Sequence, residues 1–364
     1  MKVLTVGGAM IDTIAVIANE RIERMSMRNA DTDFLLLEEG RKVEAEEVST
    51  HCGGGAVNTA VCLARLGHDV AALIKLGQDA RAETILSHLA EEGVSTRYAV
   101  RDRRAPTGAS VLVSAHDRNA AIFTFRGANT LLEPGDLKRD AFAVQLVYIS
   151  NLSNQSADCF PEIVTKSKAE GALVATNPGV RQLSARQGDF LAHIDKLDIL
   201  AVNKVEAGVL IPYLVGKFGE HGPQLPSDVN APLPELALRG FTGGGFDMSF
   251  IAFFRAMHEL GPRYILVSDG KHGAFLATPG QIVHWPAVPV KVMGTAGAGD
   301  AAASTLSAFI ADGASAEEAL LAAVVNSSSV VEHIDTQTGL LKREGLLQRM
   351  QEARKFISCR TWSL

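Results

Sequence analysis

Cysteine is scarce in this chain. Its four residues, Cys52, Cys62, Cys159 and Cys359, are scattered, and no pair has C-x-x-C spacing. That argues against a disulfide framework or a structural zinc site and suits a reducing cytoplasm. His51 beside Cys52 has no second ligand pair at helical spacing, so it makes no metal site. Positive charge is also short. The formal net charge is -6, no dense Lys/Arg stripe occurs, and "RDRR" at 101–104 reads as a solvated turn, so nucleic acid is not an expected partner. Uninterrupted apolar runs are too short to span a bilayer. The N-terminus superficially resembles a signal peptide, but Asp12 interrupts the run and Gly7-Gly8 reads as a turn, which makes this a first strand. No G-x-x-x-x-G-K-[ST] loop is present, which excludes a Walker-type nucleotide site.

What remains is ordinary globular material. At 364 residues and 47% hydrophobic content, there is ample chain for a buried core. From about residue 145, strand and helix patterns alternate: "LVYIS", "FPEIVTKSKAEG", "ALVATNPG", "QGDFLAHID", "ILAVN", and later "FIAFFRAMHELG" and "YILVSDG". Such alternation predicts a mainly parallel sheet covered by helices on both faces. Ligands of these sheets gather at the C-terminal strand ends, where "NPG", "NKVE", "SDGKHG" and "GTAGAGD" fall. The stretches near 35–50 and 108–126 break the pattern and read as a small β lid. The Pro/Gly-rich segment 212–245 reads as a surface insertion, because the alternation resumes after it.

The segment "KVMGTAGAGDAAAS", 291–304, admits three readings. Gly297, Gly299 and Ala302 match G-x-G-x-x-A, a dinucleotide turn, although Asp300 would put a carboxylate where pyrophosphate belongs. Asp300 could simply meet the orphan N–H groups of a helix start. Alternatively, the Gly-Ala-Gly turn makes an anion hole at a helix N-terminus, and Asp300 is a base beside it.

The wider sequence bears on that choice. "GTAGAGDAAAS" resembles the second signature of the ribokinase/PfkB carbohydrate kinase family, D-x-T-G-A-G-D, and the resemblance runs in order along nearly the whole chain. "GGAMID" is similar to the first strand–turn, with Asp12. "GGGAVNTAVCLARLG" is similar to the first signature, with Gly53, Gly54 and Asn58. "LGQDARAETILSHLAEEGVST" resembles the G-x-D segment, "RGAN" at 126–129 the G-A-N turn, "NKVE" the N-x-x-E motif, and "SDGKHGAF" the [ST]-D-G-x-x-G loop. "VVNSSSVVEHIDTQTG" resembles the late helix that flanks adenine.

The resemblance implies a three-layer ribokinase-like α/β fold over 1–364, with lid segments at about 15–50 and 100–126. It implies transfer of the γ-phosphoryl group of ATP to a primary hydroxyl of a sugar. In that scheme Asp300 is the general base, and the N–H groups of Gly297, Ala298 and Gly299 stabilise the transferring group. Asp12, Gly53, Gly54 and Asn58 hold the acceptor. Glu206, with Asn203, orients Mg²⁺ through water, while Ser268, Gly270, Gly273 and Asn326 border the nucleotide. A homodimer joined through the lid is also implied. The signature's aspartate and threonine are Gly294 and Ala296 here, which speaks against K⁺ activation. A nucleoside kinase of the same fold is the nearer alternative, with Phe34, Phe123 and Phe125 as candidate stacking residues. A non-catalytic ligand-binding relative is the alternative of another class.

Overall fold

The computed structural model describes the chain except residues 19–22, 27–32, 37–39, 41, 116–119 and 226–231. Its centre is β1 (Lys2–Gly7), where Val3, Leu4, Thr5 and Val6 are all buried. A strand covered on both faces needs such a run without polar alternation. β1 lies parallel between β6 (Asp69–Leu76) and β10 (Leu146–Ile149). β11 (Leu173–Thr176), β12 (Ile199–Asn203) and β15 (Tyr264–Ser268) extend the parallel set. β16 (Ala274–Thr278), β17 (Gln281–Trp285) and β18 (Arg360–Ser363) finish one edge in antiparallel fashion, and β7 (Val100–Arg101) finishes the other beside β6. Among the described residues the sheet has ten strands, in the order β18-β17-β16-β15-β12-β11-β10-β1-β6-β7.

Alternate residues of these strands feed two separate cores. On one face lie α1 (Gly55–Arg65), α2 (Ala80–Glu91), α9 (Ala298–Ala311), α10 (Ala316–Val330) and α11 (Arg343–Ala353). On the other lie α3 (Phe160–Ala169), α4 (Val180–Ala185), α5 (Gln187–Leu191), α6 (Lys204–Phe218), α7 (Glu235–Arg239) and α8 (Phe250–Leu260). The result is the ribokinase-like three-layer α/β architecture. Alanine-rich α9 and α10 pack against each other, small side chains letting the backbones approach closely. No helix among the described residues is long and apolar enough to cross a membrane.

A second sheet stands over the C-terminal ends of the parallel strands. It runs β5 (Glu47–Gly53), β2 (Met10–Ile17), β8 (Gly108–Ala115), β9 (Ala120–Phe125), with β3 (Glu23–Ser26) and β4 (Asp33–Leu36) as a separate hairpin. Its boundaries differ from the sequence reading. β2 starts at Met10, so Asp12 sits on a lid strand rather than in a turn, and β5 begins only at Glu47 and runs through Gly53. Val100–Arg101 belongs to the main sheet. The segment read as an insertion from 212 starts inside α6, which continues through Pro212 to Phe218. Pro212 deprives the Gly208 carbonyl of its helical donor, and the hairpin β13 (Phe241–Gly243) and β14 (Phe246–Met248) packs at that point.

Candidate active site

Three strands and two helix starts build one cavity. The pleat turns Met10, Asp12 and Ile14 of β2 inward, together with Ser110 and Leu112 of β8 and Ile122 and Thr124 of β9, since alternate residues share a face. From the main body come Gly54, Gly55 and Asn58 at the start of α1, Ala296 and Asp300 at α9, and Asp335 and Thr336 beyond α10. The space is about 240 Å³.

α9 begins where glycine permits it. Gly297 is its N-cap at φ 80, and a Cβ there would lie 2.8 Å from the Thr336 side chain. No side-chain cap is present at this end, and Ala298 N makes only a long 3.5 Å bond to the Thr295 carbonyl, which leaves the first N–H groups, those of Ala298 and Gly299 among them, as donors for an anion. Asp300 stands in that first turn. Its Oδ2 accepts from Asn58 Nδ2 at 2.8 Å, and its Oδ1 accepts from no described residue. Burial raises its carboxyl to about 6; the Asn58 hydrogen bond opposes this, and the charges of Glu206 and Asp12 add to it. A carboxylate at a helix N-terminus would ordinarily be held low, so here desolvation wins.

Asn58 is 4% exposed, and its amide is largely spoken for. Besides donating to Asp300, its Oδ1 accepts from Thr336 Oγ1 and Gln337 Nε2, each at 2.9 Å. The resemblance puts Asn58 at the acceptor; in the structure it lines the cavity and also donates to Asp300. Gly53 and Gly54 hold the chain where side chains cannot go. A Cβ at Gly53 would overlap the Asp12 carboxylate, and one at Gly54 (φ 95) would lie 2.6 Å from the Gly8 carbonyl oxygen. Asp12 accepts a short hydrogen bond from the Ser110 hydroxyl; burial raises its carboxyl, against that bond and the charge of His51.

The second group of expected residues lies at the ends of β12 and β15. The register pairs Asn203 with Ser268, and Gly270 and Gly273 follow in the adjoining turn. Asn203 and Glu206 form a reciprocal capping box on α6, Glu206 N donating to Asn203 Oδ1 and Asn203 N to Glu206 Oε2, both at 2.9 Å. Glu206 is buried, and Asn177 Nδ2 also donates to its Oε2 at 3.2 Å. Burial raises its carboxyl despite these two bonds. Its Oε1 accepts from no described residue, so one hard oxygen is left over, the donor type that Mg²⁺ and its waters prefer.

One expected residue lies elsewhere. The resemblance puts Asn326 beside the nucleotide, but it is fully buried, donating to Thr305 Oγ1 at 2.8 Å and accepting from Leu341 N at 3.0 Å. It is a core asparagine that ties α10 to α9. The chain after α10 likewise borders the acceptor cavity through Asp335 and Thr336. Nor do the proposed stacking residues face the cavity: Ile122 and Thr124 do, while Phe123 and Phe125 lie on the opposite face of β9, more than half exposed. The side chain of Phe34 lies outside the described residues. Sequence reasoning singled out none of Ser110, Thr336, Gln337 and Asn177; the last three lie in quoted stretches, but nothing local marks which of their polar residues meet the site. Asn129 of "RGAN" proves structural, clamping both backbone groups of Ala9 at 2.9 and 2.8 Å.

Known proteins share this fold and family. The deoxyribokinase of Salmonella typhi is 26% identical over 331 residues, covering 89% of this chain and 94% of its own. The ribokinase of Arabidopsis thaliana, solved with ribose and ATP, shares the fold at a TM-score of 0.69 and 21% identity, covering 96% of this chain and 98% of that one. A nucleoside kinase from Methanocaldococcus jannaschii does so at 0.69 and 19%, covering 96% and 98%. The pfkB family carbohydrate kinase model matches residues 23–212 and 249–343, and the chain belongs to that family of sugar kinases.

Proposed function

We propose that this kinase transfers the γ-phosphoryl group of ATP to a primary hydroxyl of a monosaccharide, with Asp300 as general base. The carrying observation is the Oδ1 of Asp300, unpartnered among the described residues and set in the cavity at the uncapped start of α9 while Asn58 holds Oδ2. The acceptor oxygen attacks phosphorus, its proton passes to Asp300, and the bond to the departing ADP breaks. The N–H groups of Ala298 and Gly299 face the charge on the transferring group, with Gly297 shaping the turn. Asp12, steadied by Ser110, accepts from acceptor hydroxyls beside Gly53 and Gly54. Asn203, Ser268, Gly270 and Gly273 border the nucleotide, by the family's pattern. Glu206 would hold Mg²⁺ through water, and the cation would supply charge neutralisation for the phosphates.

A sugar fits better than a nucleoside. The cavity is smaller than the roughly 300–1,000 Å³ of sites for drug-sized ligands, and its lid wall offers Ile122 and Thr124 rather than a stacking ring. ADP release measured with a panel of pentoses, hexoses and nucleosides tests this reading; turnover confined to nucleosides would overturn it. The outer lid face exposes Val111, Phe123 and Phe125, and we assign it to a homodimer. The free thiols match a reducing cytoplasm as the compartment.

A further inference from the structure

Among the described residues, one cation in the cavity has no carboxylate to answer it. Arg126 follows β9 and lines the cavity with Thr124, Asn151 and Ser153. It is half-buried. Its Nη1 donates to Ser153 Oγ at 2.7 Å, and among the described residues no carboxylate reaches ion-pair distance. Elsewhere the fold pairs its half-buried arginines: Arg65 with Glu92 at 2.5 Å, and Arg101 with Glu83 at 2.8 Å. Burial depresses the Arg126 guanidinium from its ordinary value, and the charge that adds to this is a second cation, Arg181 at the start of α4.

A guanidinium withdrawn from water without a counter-charge is costly. Its planar fork of donors matches the oxygens of a carboxylate or phosphate, singly or in pairs. Asp12 and Asp300 line the same cavity and would repel an anion placed beside them. An anionic group must therefore sit at the Arg126 end, which leaves a hydroxyl of the same molecule for Asp300. We propose that the acceptor is a sugar carrying an anionic group, carboxylate or phosphate, bound by Arg126 together with Ser153.

This rests on the kinase reading above, and the test separates the two. ADP release is measured with neutral pentoses and hexoses, with sugar acids of matched length, and with sugar monophosphates. The wild-type enzyme is expected to favour one of the anionic arms over its neutral counterpart by at least 100-fold in kcat/KM. The arm that wins identifies carboxylate or phosphate. Arg126→Gln should shrink that ratio at least 30-fold, through KM rather than kcat, and Arg126→Lys, which keeps the charge, should restore part of it. Turnover of neutral sugars with no anionic preference, or a preference that survives Arg126→Gln, overturns the inference while the kinase reading stands. No phosphoryl transfer to any arm overturns both.

Discussion

Asn58 Nδ2 donates to Asp300 Oδ2 at 2.8 Å, tying the first turn of α9 to α1 across 242 positions of sequence. The bond favours the charged carboxylate in a place where burial disfavours it. A base must be ionised to act, so kcat/KM should rise with pH through about 6 in the wild-type enzyme. Asn58→Ala removes the stabilising donor and should move that acidic limb to higher pH. Activity would fall by about tenfold or more near pH 6 and recover toward pH 9. An unshifted limb in the variant would mean that Asn58 does not govern the base.

Glu206 acts on the same carboxyl with the opposite sign, since its negative charge helps to raise Asp300. Glu206→Gln should therefore move the acidic limb to lower pH. The same change weakens an oxygen donor left open for Mg²⁺, so the Mg²⁺ concentration for half-maximal rate should rise by about tenfold. A variant with unchanged Mg²⁺ dependence would reduce Glu206 to its capping role on α6.

How much of this could be read from the sequence follows from what each residue depends on. The parallel strands were legible because burial on both faces leaves continuous apolar runs, as in "LVYI" of β10. Asp300 was legible because its turn needs glycines at fixed places. Asn326 misled because the resemblance puts its helix beside adenine, whereas α10 is sandwiched here and Asn326 is satisfied by Thr305 of α9 and the Leu341 N–H. Thr336, Gln337 and Ser110 were illegible for a related reason. Each meets its partner only after segments about a hundred or more residues apart have packed.

Beneath the cavity, Lys75 of β6 is 3% exposed and reaches Asp136 at 2.6 Å and Asp102 at 3.2 Å. Lys75→Met would leave Asp136 without its cation, while Asp102 keeps its hydrogen bonds from Arg104. A loss of about 3 kcal/mol is expected in denaturant unfolding. A change below about 0.5 kcal/mol would show that the cluster relaxes into solvent.

The raised carboxyl of Asp300 also has a stability consequence. Its folded value, about 6, lies above the ordinary 3.8, so the fold prefers the protonated group and carries a penalty that grows as pH rises from 3.8 and is complete above about 6. Asp300→Asn should relieve it, stabilising the protein by on the order of 1 kcal/mol at pH 8 and by little at pH 4. Thermal melts at both pH values check the sign; a variant less stable at pH 8 than the wild type would contradict it.

The central claim is that Asp300 is the base of a phosphoryl transfer to a sugar. The most direct measurement is the transfer rate from labelled ATP to the preferred acceptor, in wild type and Asp300→Asn, alongside ATP affinity by calorimetry. Asp300→Asn should lose at least 1,000-fold in kcat, about 4 kcal/mol of transition-state stabilisation, with ATP affinity retained. Turnover within tenfold of wild type in a folded, ATP-binding variant would contradict it.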